Sequence, residues 1–196
     1  MRPLTSPAGD GLKIVIVGGF GVGKSTLVRS VSEIRPLYTE ERITRAGEAP
    51  GTAQAHTAPA HTKTSTTVAF DFGRITLDPR NVLYLFGAPG EERFRFLWDR
   101  LFSGALGAVV LVDTRHLADS WYARYAIDRL ERHGTPFIVA CNDFGGPAHT
   151  EQEIREALGL AAHVPLVECD ARDHSSSKYV LINLLGHLRA PRRQSP

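Results

Sequence analysis

The chain has 196 residues, 42% hydrophobic and 22% charged, a size and balance that fit one soluble globular domain able to bury most of its apolar surface. Its 23 basic and 21 acidic residues leave a net charge of +2, too balanced to argue for nucleic acid as a partner. No apolar run approaches the roughly 20 residues that span a bilayer, and the opening Met1–Pro7 has no hydrophobic signal core, so the reading is a cytoplasmic protein.

Residues 1–10 carry Pro, Ser and Gly and read as a frayed tail. Leu12–Val17 is a short apolar run rich in β-branched residues, the signature of a buried parallel strand. Gly18-Gly19-Phe20-Gly21-Val22-Gly23-Lys24-Ser25 follows and fits G-x-x-x-x-G-K-[ST], the phosphate-binding loop. Glycines there let main-chain N–H groups turn inward without Cβ clashes, and the helix beginning near Lys24 aims its positive end at the same place. Lys24 is placed to bridge the β- and γ-phosphates, and the Ser25 hydroxyl to ligate Mg²⁺. Leu27, Val31 and Ile34 recur at near-helical spacing, and Pro36 stops that helix.

Residues 36–65 lack apolar periodicity and read as a long mobile loop. Two compatible readings are open for it: an insertion without function, or a switch segment ordered by ligand. Val68, Phe70 and Phe72 then alternate as in a half-exposed strand, Asp78–Asn81 is a turn, and Val82–Phe86 is a buried strand. These form a hairpin and place one antiparallel strand at the edge of the sheet. Glu91 to Phe102 reads as helix, with Phe94, Leu97, Trp98 and Leu101 on its apolar face.

Gly107–Asp113 is a buried strand, and Ser120 to His133 a helix with Ser120 as candidate cap. Pro136–Cys141 is a strand, Thr150 opens a helix with a capping box, Val164–Glu168 is the last strand, and Ser175 to Leu188 the last helix. Cys141 and Cys169 show no metal spacing and read as buried reduced thiols. The eight histidines are scattered. The rhythm gives one α/β domain over 11–189: a mostly parallel six-stranded sheet with one antiparallel edge strand and helices on both faces. Residues 190–196 form a basic, solvated tail.

Several stretches together resemble a family. They are Gly18–Ser25, Thr67–Gly73, Leu83-Tyr84-Leu85-Phe86-Gly87-Ala88-Pro89-Gly90-Glu91-Glu92-Arg93-Phe94 and Glu168-Cys169-Asp170-Ala171-Arg172-Asp173. In order and content they are similar to the Ras-like small GTPases, a P-loop NTPase fold. Within these the resemblance is to bacterial MglA-like and, above all, conservon-type GTP-binding proteins, over about Leu12 to Leu188. It implies GTP/GDP and Mg²⁺ as ligands. The phosphate contacts fall on Gly19, Phe20, Gly21, Val22, Gly23, Lys24, Ser25 and Thr26, and the base contacts on Asn142, Asp143, Asp170, Ala171 and Arg172. Thr67 falls at the switch threonine that closes on Mg²⁺ and the γ-phosphate, although Thr66 or Thr67 also suits a plain strand position. Gly90 falls where a main-chain N–H meets the γ-phosphate. Partners implied are a roadblock/LC7-type regulator and a sensor-kinase complex, with at most peripheral membrane association and no lipidation box.

Three positions depart from the family pattern. The acid of D-x-x-G is replaced by Gly87, which removes a carboxylate from behind the metal unless Asp113 or another acid substitutes. Glu91 stands where many members have a water-positioning glutamine, and Phe20 where glycine is usual; both imply slow hydrolysis, lifted by a partner if at all. Asn142-Asp143-Phe144-Gly145 keeps the asparagine of N-K-x-D but has Gly145 at the aspartate position. Either Asp143 reaches the base or guanine selectivity is weak, while Ala171 retains the N–H that would meet the base oxygen. The leading reading is a nucleotide-dependent switch and a weak GTPase. A pseudo-GTPase that holds nucleotide without turnover is the first alternative, and a P-loop kinase or ATPase the second. Arg93, Arg95 and Arg100 could serve a kinase lid, but they interleave with Phe94, Phe96 and Leu97 as on an amphipathic helix.

Overall fold

The computed structural model describes residues 10–35, 37–44, 65–146 and 149–189. The tails read at 1–9 and 190–196, and residues 45–64 of the expected switch loop, lie outside the described residues.

All six strands read from the sequence are present. They are β1 (Asp10–Val17), β3 (Ser65–Thr76), β4 (Asn81–Gly87), β5 (Gly107–Asp113), β6 (Phe137–Asn142) and β7 (Leu166–Cys169). A seventh, β2 (Leu37–Thr44), occupies part of the segment expected to be a loop. The sheet order is β2-β3-β4-β1-β5-β6-β7. β3 runs antiparallel to both its neighbours and every other pair is parallel. The antiparallel strand is therefore not the edge: β2 covers it along Leu37–Thr44 and satisfies the outer ladder that an edge strand leaves open.

Strand alternation divides the core in two. Ile14 and Ile16 face α1 (Lys24–Val31), joined by Leu27, Val28, Val180 and Leu184. Val15 and Val17 face the other way, with Trp98, Phe102, Ala126, Ile127 and Leu130. That second layer holds α2 (Trp98–Phe102), α3 (Trp121–Arg132) and α4 (Glu151–Leu158), while α5 (His174–Arg189) joins the first. β1 lies in the middle with Ile14–Val17 fully buried, and each such side chain contributes roughly 1.5–3 kcal/mol.

Two local expectations change. The stretch read as one helix over 91–102 is a 3-10 turn at Glu92–Leu97 followed by α2. Ser120 makes no capping hydrogen bond, whereas Thr150 and Glu153 form the full capping box of α4. Cys141 and Cys169 are free and buried. Among the described residues no helix is long and apolar enough to cross a membrane. The carboxyl ends of β1, β4, β5, β6 and β7 share one rim, where open α/β sheets bind ligands.

Candidate nucleotide site

The phosphate loop leaves β1 at Gly18 and enters α1 through Gly23, the helix N-cap, whose φ of 99° is left-handed. A Cβ at Gly23 would also stand 2.4 Å from Asn142 Nδ2, so only glycine fits there. Lys24 is buried, and its Nζ donates to Gly18 O at 3.0 Å and Gly19 O at 2.6 Å. Burial pushes its ammonium down from an ordinary 10.5 to about 8, with the Asp71 charge opposing that shift. Gly90 packs onto the same spot: a Cβ there would lie 2.7 Å from Lys24 Nζ and 2.8 Å from Gly19 O. Trp98 Nε1 donates to Pro89 O at 3.2 Å and anchors the segment that carries Gly90.

Ser25 Oγ donates to Asp71 Oδ2 at 2.5 Å. Asp71 lies on β3, in register with Gly87 on β4. A Cβ added at Gly87 would stand 2.9 Å from Asp71 Cβ and 3.0 Å from its Oδ2. The space that an acid at position 87 would take is thus filled by an acid from the neighbouring strand. The carboxylate expected to be missing is present, and it is not Asp113. That residue turns away, bound by Arg115 Nη2 at 2.7 Å and Arg115 Nε at 3.0 Å, and the Arg115 hydrogen bond holds its carboxyl below the usual range.

At the other end, Asn142 is buried and clamps two loops. Its Nδ2 donates to Val22 O at 3.0 Å, and its Oδ1 accepts the Ala171 N–H at 2.8 Å. That N–H, expected to meet a base oxygen, is here engaged by Asn142. Asp143 Oδ1 accepts the Gly145 N–H at 2.7 Å, and the Asp143 N–H is held by Cys169 O at 2.7 Å. Asp170 accepts from Arg172 N at 2.9 Å, Arg172 Nε at 2.8 Å and Arg172 Nη2 at 3.0 Å. Those bonds from Arg172 draw the Asp170 carboxyl below its ordinary range.

A cavity of about 160 Å³ adjoins the loop, lined by Gly19, Phe20, Val22, Asp113, His116 and Tyr122 among others. A larger hollow of about 500 Å³ lies between residues 102–106 and 133–136, before β5 and β6 and so at the opposite rim. It shares none of the loop's groups, and the smaller cavity is the one that belongs to the site.

A family model described as "Conserved hypothetical ATP binding protein" matches residues 52–190. The chain belongs to that family. The matched stretch begins beyond the phosphate loop, so loop and family are separate pointers to a P-loop nucleotide-binding domain. An uncharacterized protein of Methanocaldococcus jannaschii is 27% identical over 104 residues, 53% of this chain and 52% of that protein. The chain thus spans about half the length of the curated relative it matches. The crystal structure of the G domain of the T. maritima FeoB iron transporter superposes with a TM-score of 0.59 at 15% identity, covering 91% of this chain and 99% of that one. The fold is that of a P-loop GTPase G domain.

In this member of the conserved hypothetical ATP binding proteins, the fold brings together Gly19, Gly23, Lys24, Ser25, Gly90 and Asn142. Two of the predicted residues stand apart. Thr67 sits in β3 opposite Arg42, four residues from Asp71 and so about 13 Å along the strand at ~3.3 Å per residue; its side chain lies outside the described part. Glu91 is exposed and held by Arg93 Nε at 2.7 Å. Phe20 projects into solvent at the loop's apex, 84% exposed. Asp71 was missed by sequence reasoning. Its signal was there: in a strand where Val68, Phe70 and Phe72 share a side, an acid at 71 faces the other.

Proposed function

We infer that the chain is a guanine-nucleotide-dependent switch with slow, partner-stimulated GTP hydrolysis. The observation that carries this reading is the Ser25–Asp71 contact beside Lys24 and Gly90. It joins three segments of the chain at the point where a terminal phosphate would sit. Loop amides and Lys24 hold the polyphosphate, and the Gly90 segment senses its end. Ser25 Oγ and Asp71 Oδ2 are hard oxygen donors of the kind Mg²⁺ takes, and they are the residues that would hold it. Bound there, Mg²⁺ would supply positive charge against the polyphosphate.

Turnover is slow because Glu91 offers only acceptors and is turned toward Arg93. That same pairing favours a second reading, a pseudo-GTPase that holds nucleotide without cleaving it. Single-turnover hydrolysis of GTP separates the two, since the weak GTPase releases phosphate and the pseudo-GTPase does not. The shared premise is tested by Lys24→Ala, expected to weaken GDP and GTP binding by about a hundredfold or more, as measured by calorimetry. Retention of full affinity would remove the phosphate site from the interpretation.

A further inference from the structure

The cavity of about 160 Å³ beside the phosphate loop is lined by no residue of the loops that follow β6 and β7. One wall is the start of α3, where Ser120 and Tyr122 are each only 8% exposed. Neither Ser120 Oγ nor the Tyr122 hydroxyl has a hydrogen-bond partner, although both atoms are buried. Ser120 also makes no capping bond to the helix it precedes. A buried hydroxyl that has left water without finding a partner is costly, and two on one wall require an explanation. The nearby carboxylate of Asp113 is already taken by Arg115. The wall thus holds two O–H donors and lacks an acceptor.

Tyr122 stands where the loop meets the segment that carries Gly90. A Cβ on Gly19 would lie 4.0 Å from Tyr122 Cβ, and a Cβ on Gly90 would lie 2.8 Å from Gly19 O. The Tyr122 ring packs edge-on against Trp98, at 5.0 Å between centroids, and Trp98 Nε1 donates to Pro89 O. Burial pushes the phenol up to about 12, and the charges acting on it include Arg95 and Glu91. Arg95 has no acceptor to give: it donates to Glu92 and stacks on Trp121 and Tyr125. Glu91 can accept. It follows Gly90 directly, has extended backbone just before the 3-10 turn, and is held only by Arg93 in a half-exposed ion pair. Such a pair is weak and readily exchanged.

We propose that Tyr122 and Ser120 are positioning residues for Glu91: when a terminal phosphate closes the Gly90 segment on the loop, the Glu91 carboxylate leaves Arg93 and takes both hydroxyls. The proposal rests on the nucleotide-switch reading and names the contacts by which the triphosphate state differs from the diphosphate state. A terminal phosphate beside Gly90 repels the neighbouring carboxylate, and two O–H donors receive it with charge-assisted bonds. A ligand shifts a two-state segment only by what it gains in one state over the other, and these two bonds are that gain. Seated behind the loop, the carboxylate is also withheld from an attacking water, in accord with slow turnover.

The test removes the hydroxyl and keeps the ring. Tyr122→Phe in the full chain without nucleotide should unfold at the same urea concentration as the parent or a higher one, because an unpaired buried group has gone. Titrated with Mg²⁺-loaded GTPγS and GDP, it should show a GTPγS-to-GDP affinity ratio lowered about tenfold, the worth of one hydrogen bond to a charged group. Ser120→Ala should lower the ratio in the same direction. In a Glu91→Ala background, Tyr122→Phe should leave the ratio where Glu91→Ala alone puts it, since the acceptor is already gone. An unchanged ratio in Tyr122→Phe, the same drop with and without Glu91, or a loss of nucleotide-free stability in Tyr122→Phe overturns the proposal while leaving the phosphate site standing. A parent that binds neither nucleotide overturns the switch reading as well.

Discussion

At the phosphate end, the carboxylate touching Ser25 arrives from 46 residues away, on a strand running against its neighbours. At the base end, the carboxylate beside Gly145 comes from two residues upstream, in a turn the loop makes with itself. Both ends have glycine where the Ras-like pattern would place an acid, and both have an aspartate against that glycine. The first arrangement depends on strand register: a slip of one residue between β3 and β4 would send Asp71 to the opposite face. The second depends only on local backbone geometry. The phosphate end is thus tied to the order of the sheet's outer strands, and the base end is independent of it.

The sharpest way to break this comparison is to put the missing acid back. Gly87→Asp places a Cβ 2.9 Å from Asp71 Cβ and sets two carboxylates against each other. It should destabilise the fold by about 3 kcal/mol, read from urea unfolding. Adding Asp71→Gly should return most of that loss and preserve Mg²⁺-dependent nucleotide affinity, because the acid has only changed strands. A double variant no more stable than Gly87→Asp would show that the two positions are not alternatives.

The same contrast explains what could be read in advance. β1, β5 and β6 were legible because burial on both faces leaves apolar runs such as Ile14–Val17 and Val109–Val112, and β3 by the alternation of Val68, Phe70 and Phe72. β2 was not, because Leu-Tyr-Thr-Glu-Glu-Arg-Ile-Thr carries mixed polarity and becomes a strand only by pairing with distant β3. The single helix expected over 91–102 failed for a local reason: side chains three apart eclipse in a 3-10 turn as well as aligning in a helix. The phosphate loop was legible as a motif, and Asp143 as an acid two residues ahead of Gly145, while its turn to Gly145 was seen only in the structure. The alternation of β3 turns Asp71 away from Phe70 and Phe72, but its place beside Gly87 required the β3–β4 register, which no local pattern encodes.

Asn142 is the member that joins the two ends, and truncating it tests whether they act as one site. Asn142→Ala leaves Val22 O and the Ala171 N–H without their partner in a buried setting. The expected cost is about 2 kcal/mol of stability, with loss of GDP affinity exceeding that of Asp143→Asn because the loops on both sides loosen. Were stability lost with GDP affinity intact, the clamp would be structural alone.

The smallest expected effect sharpens the comparison by pH, because burial brings Lys24 of the phosphate end down toward neutrality. Lys24 without ligand has been lowered to about 8 by burial. A polyphosphate favours the charged form, so the bound lysine must titrate higher. Binding then takes up protons around pH 8 and weakens as pH rises through the free value, up to the bound one. From the free value of about 8, GDP affinity should fall about tenfold between pH 7 and pH 9, with roughly half a proton absorbed per GDP at pH 8. Calorimetry in buffers of different ionisation enthalpy measures both quantities. Asp143→Asn should shift the whole curve downward without changing its slope, because its contribution lies at the other end. A slope that flattens in Asp143→Asn would mean that base and phosphate contacts titrate together, and the separation of the two ends would fail.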